Sequence, residues 1–535
     1  MDAKHSSLLY PSESVRIREL TRDIPVASEE VCEVLGLTHL LGLKNTSPAA
    51  YLTDDNEVIL YRQATLRDIR KNPEVENTLS TLLPLLWDIA ELREIGREVE
   101  DASGESYLYS ITEIELYIAC ISALEGGLCP VSPNLESEAL KNLANFVSEL
   151  TQSEDYKRLK EEIGKLSSKM HQVRSVTVGV NLDGQFRPTE AGVVSINAEP
   201  FHSGTTLDKI LRMSFKNDSR TCIAALTPFG KGQSDNRKEA LLGAFNGALL
   251  EVFRSSVKGW RNVISEYVID NTNFLLQMLP EIEFVCRAVA LEKRLLALGF
   301  GMTCPTLCEK QKKTFSAKGL YHADVALKID GPIVKNDFAF EGNTTIFVIT
   351  GPNRGGKSVL TTAVGLSQAM AQLGLLVPAD QAKLSPVDQI LTHFPDGAED
   401  TLDRGRLGEE CNRLRQMFEK MTEDSLLLLD ESLSSTGAFE ATYIAADILL
   451  GFGIAKVRSI FSTHLHDLAS KVPEISQASK KEGGAEMDTM TAEMNPDGTR
   501  SFRVVRGTPD GKSYAKDIAG KYGLGQEDIL GMVKK

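Results

Sequence analysis

One octapeptide constrains the fold of this 535-residue chain more than any other feature. The run from Gly351 to Ser358, GPNRGGKS, fits the P-loop pattern GxxxxGK[ST], and it directly follows the apolar run TIFVIT. Glycines at these places let backbone N–H groups curl around phosphate oxygens, at the positive end of the helix expected to begin there. The sequence therefore predicts a strand–loop–helix unit for a nucleotide. A glycine-rich turn without a ligand is the alternative.

The pattern assigns a role to each end of the loop. Lys357 is expected to reach the β- and γ-phosphates of ATP, and the hydroxyl of Ser358 to bind Mg²⁺. The residues predicted to contact the nucleotide are Gly351, Pro352, Asn353, Arg354, Gly355, Gly356, Lys357, Ser358 and Val359.

Two further motifs follow apolar strand-like runs. Leu426–Leu429 lead directly into Asp430 and Glu431. An acid pair at a strand end is weak evidence alone, but after a P-loop Asp430 is expected to bind the Mg²⁺ and Glu431 to act as the general base on water. His464 follows the next such run, and we interpret it as a sensor of the γ-phosphate, a role that His466 fits less well. A structural histidine is the alternative.

The pattern of elements changes along the chain. Apolar residues at helical spacing dominate before about residue 173, β-branched alternation follows, and long helical spacing then returns. After about residue 300, strands alternate with helices, as in a mainly parallel sheet. The predicted domains are a helical core (1–150), two long helices (151–173 and 239–300), a tip between them (174–238) and an α/β domain (301–535).

The tip carries the clearest β signal. Ser175–Asp183 alternates, ends in Asp183-Gly184, and predicts a hairpin whose return strand is Gly192–Asn197. We interpret the whole as an arm that projects from the helical core. An ordinary helical domain with an incidental hairpin is the alternative.

Charge and composition limit the function. The net charge of −15 argues against a protein coated with nucleic acid, but it leaves room for a local basic patch. No run approaches the ~20 apolar residues of a membrane span, and the N-terminus lacks an apolar signal core, so we expect a cytoplasmic protein with no membrane partner. Cys304 and Cys308 have no partner pair at zinc-binding spacing, and we expect buried thiols. Phe201–Lys238 combines Asp208, Asp218 and Asp235 with a larger set of cations: Lys209, Arg212, Lys216, Arg220, Lys231, Arg237 and Lys238.

The ordered motifs resemble those of the MutS family of DNA mismatch-repair and recombination proteins. The matching runs are TGPNRGGKS, LLLLDESLSSTGAFEA, STHLHDLA, Val377–Ala379, Gly405–Glu410 and Gly511–Ala515. The resemblance is strong over about residues 300–535 and weak through the helical part. It implies a multidomain fold with an α-helical core and lever, a small β-containing clamp, and a C-terminal α/β P-loop ATPase domain of the ABC type.

The resemblance also implies partners. Such proteins work as dimers with composite nucleotide sites, so Gly405–Glu410 would face the γ-phosphate of a partner subunit, and Lys512–Ala515 would belong to a dimerisation element. The chain departs from the family where Arg406 and Gly408 replace the Ser-Thr-Phe signature and where Arg354 replaces a common Met. The expectation is a DNA-dependent ATPase with ATP and Mg²⁺ as cofactors. It would engage duplex, mismatched or branched DNA as a homodimer, alongside other repair proteins, and would be nucleoid-associated if the protein is bacterial.

Some family features are missing from the sequence. No Phe-x-Glu occurs, and no Phe precedes Phe146, so we expect a short member without the N-terminal mismatch-recognition domains. An ABC-type ATPase that acts on a partner other than DNA is the alternative function, although the LSGGQ signature of transporter ATPases is absent. A non-catalytic scaffold and a P-loop kinase fit less well, since the full motif set is present and no acceptor pocket is evident.

Overall fold

The computed structural model describes residues 7–98, 105–171, 174–185, 188–200, 202–203, 221–222, 261–329, 331–394, 405–495, 497, 499–507, 523 and 526–533. The chain folds into two compact units. The first comprises Asn72–Leu135 and Leu140–Ile282, and the second comprises Ser7–Lys71, Glu136–Ala139 and Glu283–Lys535. The domain limits that the sequence suggests differ from these units in the first 150 residues, and they stay predictions.

The first unit is mainly helical. Its helices and the adjoining ones are α5 (Pro73–Glu98), α6 (Glu105–Leu128), α7 (Glu138–Gln152), α8 (Glu154–His171) and α9 (Arg261–Ala297), of which the last continues into the second unit. Helices α5 and α6 pack so closely at Gly127 that a Cβ on this residue would lie 1.8 Å from Oγ1 of Thr78. Arg93 of α5 donates to Oε1 of Glu113 in α6 at 2.7 Å. The expected helical spacing thus produces a bundle held by apolar packing and a half-buried ion pair.

The predicted hairpin is confirmed. Strand β1 (Ser175–Leu182) pairs antiparallel with β2 (Pro188–Asn197), with Gly179 opposite Gly192. Two short strands, β3 (His202–Ser203) and β4 (Thr221–Cys222), pair in parallel. All seven basic residues of the predicted tip, from Lys209 to Lys238, lie outside the described residues.

The second unit contains two sheets. Their strands are β5 (Thr306–Leu307), β6 (Phe315–Leu320), β7 (Asn336–Phe340), β8 (Thr344–Thr350), β9 (Gln381–Leu384), β10 (Ile390–His393), β11 (Leu426–Asp430), β12 (Arg458–Ser462), β13 (Glu486–Met494) and β14 (Arg500–Arg506). The six-stranded sheet has the order β10-β11-β12-β8-β13-β14, in which only β14 runs antiparallel to its neighbour. The four-stranded sheet has the order β5-β9-β6-β7.

Helices cover the larger sheet. Central strands β8, β11 and β12 are buried on both faces, which is why their sequences are almost continuously apolar. The helices of this unit are α1 (Glu13–Leu20), α2 (Glu29–Val34), α3 (Leu37–Leu41), α4 (Asn56–Lys71), α10 (Ala323–Lys328), α11 (Lys357–Gln372), α12 (Gly405–Lys420), α13 (Ala438–Ala455), α14 (His466–Lys481) and α15 (Gln526–Val533).

Helix α13 is apolar enough and, at 18 residues, long enough to cross a membrane by composition alone. It connects β11 to β12, and one side of it enters the core through Ala441, Ala445, Leu449 and Phe452. Its apolar character therefore has a local cause in packing against the sheet.

Seven of the eight cysteines are free thiols in the part of the chain that the structure describes. Cys32 and Cys120 are buried, and burial raises the pKa of each thiol to about 12. The expectation of buried thiols is wrong for Cys304, which is exposed, and Cys308 is only half-buried. Within the described ranges, no group of three or more His, Cys, Asp and Glu side chains is arranged to hold a metal ion.

Candidate active site

The predicted site residues meet at the carboxyl edge of the six-stranded sheet. Strands β11, β12 and β8 are adjacent and parallel, so the segments that follow them emerge side by side. These segments are the loop 351–358, the pair Asp430 and Glu431, and the turn that contains His464. The topology thus brings together Lys357, Glu431 and His464, which are 33 to 107 positions apart in sequence.

The loop 351–358 is held tightly on one side. A Cβ on Gly351, whose φ is +128°, would lie 2.9 Å from the backbone N of Ala492 in β13. A Cβ on Gly355 would lie 2.9 Å from the carbonyl O of Pro352. Gly356, with φ of +94°, lies beside the backbone of Phe502 in β14. The glycines are therefore required by close backbone approach as well as by conformation.

Lys357 opens helix α11 and is only 4% exposed. Its Nζ donates to the carbonyl oxygens of Gly351 at 3.0 Å and Pro352 at 3.1 Å. The same Nζ lies 3.5 Å from Nδ1 of His464. Burial lowers the pKa of the Lys357 ammonium, and the nearby carboxylates of Glu431 and Asp430 oppose this effect. The cation is thus fixed at the mouth of the loop.

Glu431 and His464 form the polar contact between the other two segments. Nε2 of His464 lies 2.6 Å from Oε1 of Glu431, and both side chains keep about a third or more of their surface exposed, at 33% and 40% respectively. The backbone N–H of Glu431 donates to the carbonyl of Ser462 at 2.9 Å, which extends the β11–β12 ladder by one residue. His464 therefore lies between Lys357 and Glu431 and contacts both.

Asp430 is the last residue of β11 and is 8% exposed. Its Oδ1 is buried and has no hydrogen-bond partner among the described residues. Burial raises the pKa of this carboxyl, and the hydroxyls of Ser358 and Ser462 act in the opposite direction. A buried carboxylate oxygen without a partner, beside a serine hydroxyl, fits a Mg²⁺ ion that takes its remaining ligands from phosphate and water.

Other predicted contacts remain outside this cluster. Asn353 and Arg354 are exposed, and Arg354 takes a left-handed φ of +58°. Val359 is 42% exposed in the first turn of α11. Gly405–Glu410 begins helix α12, where Leu407 packs on the core and Gly405 has a φ of +65°. Lys512–Ala515, the predicted dimerisation element, lies outside the described residues.

Two residues close to the loop, Asn336 and Phe502, were not marked by any sequence motif. Asn336 is the first residue of β7, and its side chain makes two hydrogen bonds to the backbone of β14. Its Nδ2 donates to the carbonyl of Phe502 at 3.1 Å, and its Oδ1 accepts from the N–H of Val504 at 2.8 Å. Phe502 itself has a φ of +57°. No local pattern marks these residues, because their proximity to Gly356 arises only from the order of strands in the sheet.

Comparisons with known proteins extend beyond the motifs. The family model described as MutS domain V matches residues 347–529, and the model of the MutS2 N-terminal domain matches residues 54–298. The chain belongs to the MutS family. The two family models together therefore match most of the six-stranded sheet and the helical region that precedes it in sequence.

Individual relatives of this MutS-family chain are moderately similar. The DNA mismatch repair protein MutS of Chlorobium chlorochromatii is 30% identical over 327 residues, which is 59% of this chain. MutS of Chlorobium phaeovibrioides is 33% identical over 209 residues, or 38% of the chain. The protein named Endonuclease MutS2 of Thermus thermophilus is 31% identical over 232 residues, or 43% of the chain. These matches cover 34%, 22% and 29% of the respective relatives.

Proposed function

We propose that this chain is an ATPase whose ATP site is the carboxyl edge of the six-stranded sheet. One observation carries the proposal: His464 contacts both Glu431, at 2.6 Å, and Lys357, at 3.5 Å. A cation, a carboxylate and a histidine thereby meet beside one glycine-rich loop that leads into the N-terminus of a helix, where phosphate groups bind favourably.

Each side chain then has a distinct task. Lys357 binds the β- and γ-phosphates, and its present hydrogen-bond acceptors are the neutral carbonyls of Gly351 and Pro352, which phosphate oxygens can replace. Glu431 accepts a proton from the attacking water. His464 holds the Glu431 carboxylate in place and responds to the γ-phosphate through its other ring nitrogen.

A Mg²⁺ ion fits the same site. Asp430 and the hydroxyl of Ser358 would hold it, as the partnerless Oδ1 of Asp430 suggests. Such an ion offsets charge on the phosphates. In this proposal ATP and Mg²⁺ are the cofactors, and Gly351–Val359 contacts the nucleotide.

The family relationship supports DNA as the partner. Relatives carry the names of DNA mismatch repair proteins, and the chain contains a local excess of positive charge in residues 201–238. We propose a dimeric, ATP-driven clamp that engages duplex, mismatched or branched DNA in the cytoplasm, with Gly405–Glu410 of one subunit facing the nucleotide of the other. Other repair proteins are further partners in this proposal.

Stimulation of ATP hydrolysis by DNA tests the proposal. We expect the rate of phosphate release to rise when duplex or branched DNA is added, and the stimulation to weaken steeply between ~50 and ~200 mM salt, because binding through phosphates releases counterions. Lys357→Ala, measured alongside, controls for contaminating ATPases and should be inactive.

An ABC-type ATPase that acts on a partner other than DNA is the alternative. Hydrolysis that requires Lys357 but is indifferent to every DNA tested would favour that alternative. Light scattering with and without ATP tests the dimer, since nucleotide held between two subunits should increase the dimeric fraction.

A further inference from the structure

The turn that presents Glu431 is strained at both ends. The φ angle is +47° at Glu431 and +63° at Leu433, and neither residue is glycine. Left-handed backbone costs a residue with a side chain roughly 1–2 kcal/mol and persists only where the surroundings hold it. Leu433 is 1% exposed in the core, so the chain must turn inward immediately after placing Glu431 at the surface.

Ser432, between these two residues, provides the restraint. It is 4% exposed, and its Oγ lies 2.7 Å from Nδ1 of His393 and 3.3 Å from the carbonyl oxygen of the same residue. His393 is the last residue of β10, is 3% exposed, and lies opposite Leu429 in the neighbouring strand. The turn is thereby tied to the adjacent strand at the carboxyl edge.

One arrangement of the hydrogen atoms satisfies both contacts. A serine hydroxyl has one proton to donate. If that proton goes to the His393 carbonyl, Nδ1 of His393 must carry a proton and donate it to Oγ. Both contacts are then satisfied together, and the hydroxyl cannot rotate without breaking one of them.

We propose that His393 and Ser432 are positioning residues for Glu431. They hold the strained turn so that the Glu431 carboxylate remains against His464 and is aimed at the γ-phosphate side of the loop. The inference rests on the proposed role of Glu431 as general base. Because the two contacts of the Ser432 hydroxyl join the turn to β10 rather than to the loop 351–358, loss of the restraint should affect turnover and spare nucleotide binding.

Strand β11 offers a matched control at its other end. Ser425 directly precedes the strand, is fully buried, and donates to Oδ1 of Asp388 at 2.9 Å. Ser425→Ala and Ser432→Ala thus remove the same hydroxyl group, each from a buried serine beside the same strand. Only the second change touches the carboxyl edge.

The experiment measures kcat for ATP hydrolysis and Kd for ATP in these variants of the full chain. We expect Ser432→Ala to lower kcat about tenfold or more, since a displacement of about 1 Å can cost up to about a hundredfold. Its Kd should stay within about twofold of wild type, as expected when only a transition-state interaction is lost. Ser425→Ala should lower the thermal midpoint and leave kcat unchanged. His393→Asn, which can keep an N–H near the position of Nδ1, should retain more activity than His393→Leu.

A double variant separates positioning from a general loss of structure. In a Glu431→Gln background, Ser432→Ala should cause no further loss of kcat, because the group it positions is already gone. Wild-type kcat in Ser432→Ala, equal losses in both serine variants, or additive loss in the double variant would each overturn the inference. Full turnover in Glu431→Gln alone would instead refute the proposed general base.

Discussion

Gly351 occupies a position in the loop where both the backbone conformation and the space around it exclude a side chain. Its φ of +128° excludes most side chains, and a Cβ would also lie 2.9 Å from the backbone N of Ala492 and 3.0 Å from that residue's Cβ. Backbone atoms of β13 cannot yield as a flexible side chain could. An added methyl group must therefore displace the loop that would hold the phosphates.

We expect Gly351→Ala to weaken ATP binding by tenfold or more, roughly 1.4 kcal/mol, while the protein remains folded. Gly342→Ala is the control: Gly342 has a φ of +59° but open space around its Cβ position. That variant should cost about 1 kcal/mol of stability and leave ATP affinity unchanged. Titration with a fluorescent ATP analogue distinguishes the two, and equal affinities in both variants would refute the packing argument.

At the scale of elements, the strand–loop–helix unit could be predicted because its signals are local. TIFVIT, the glycines and Lys357 are consecutive, and β8 and α11 form where the pattern places them. The hairpin around Asp183-Gly184 could be predicted for the same reason. In contrast, the contact of Asn336 with β14 joins residues more than 160 positions apart, and it depends on which strands are edges.

The candidate site divides in the same way. Its residue types could be identified from motifs, whereas the His464–Glu431 contact and the Ser432–His393 restraint required the strand order. His393 had no sequence signal, because a histidine at the end of a short apolar run is more often structural. The predicted roles in catalysis and in binding ATP stay predictions.

His322, immediately before helix α10, adds a pH dependence to the stability of its element. The side chain is 6% exposed, its Nδ1 has no hydrogen-bond partner among the described residues, and burial lowers its pKa from 6.5 to about 4. Between about pH 4 and pH 6.5, His322 therefore binds a proton more readily in the unfolded chain than in the folded protein. The stability contributed by neutral His322 is therefore fully present above about pH 6.5 and is lost as the pH falls toward 4.

We expect His322→Phe to reduce this dependence. The difference in unfolding free energy between wild type and variant should change by up to about 3 kcal/mol from pH 7 to pH 4, since each pH unit between the two pKa values corresponds to about 1.4 kcal/mol. Urea unfolding at a series of pH values measures it. Parallel pH profiles for the two proteins would show that His322 does not titrate in this way.

For the whole molecule, the negative net charge argues against DNA binding, whereas the family relationship favours it. The two agree once the charge of residues 201–238 is considered separately from that of the rest of the chain. The chain carries −15 overall, whereas residues 201–238 contain seven Lys and Arg against three Asp, a local net charge of +4. An acidic body with a local basic segment favours contact with DNA over a limited region, and phosphate contacts make such binding depend on salt more than on sequence. ATP turnover at the sheet edge would then be the energy source for engagement.

The central claim is that Lys357, Glu431 and His464 form an ATP-hydrolysing site, and comparison of Glu431→Gln with wild type tests it most directly. ATP binding and the rate of phosphate release are measured for both proteins with saturating Mg²⁺. We expect Glu431→Gln to bind ATP as tightly as wild type and to hydrolyse it at least about a hundredfold more slowly, since the amide cannot accept the proton from water. Wild-type turnover by Glu431→Gln would contradict the account.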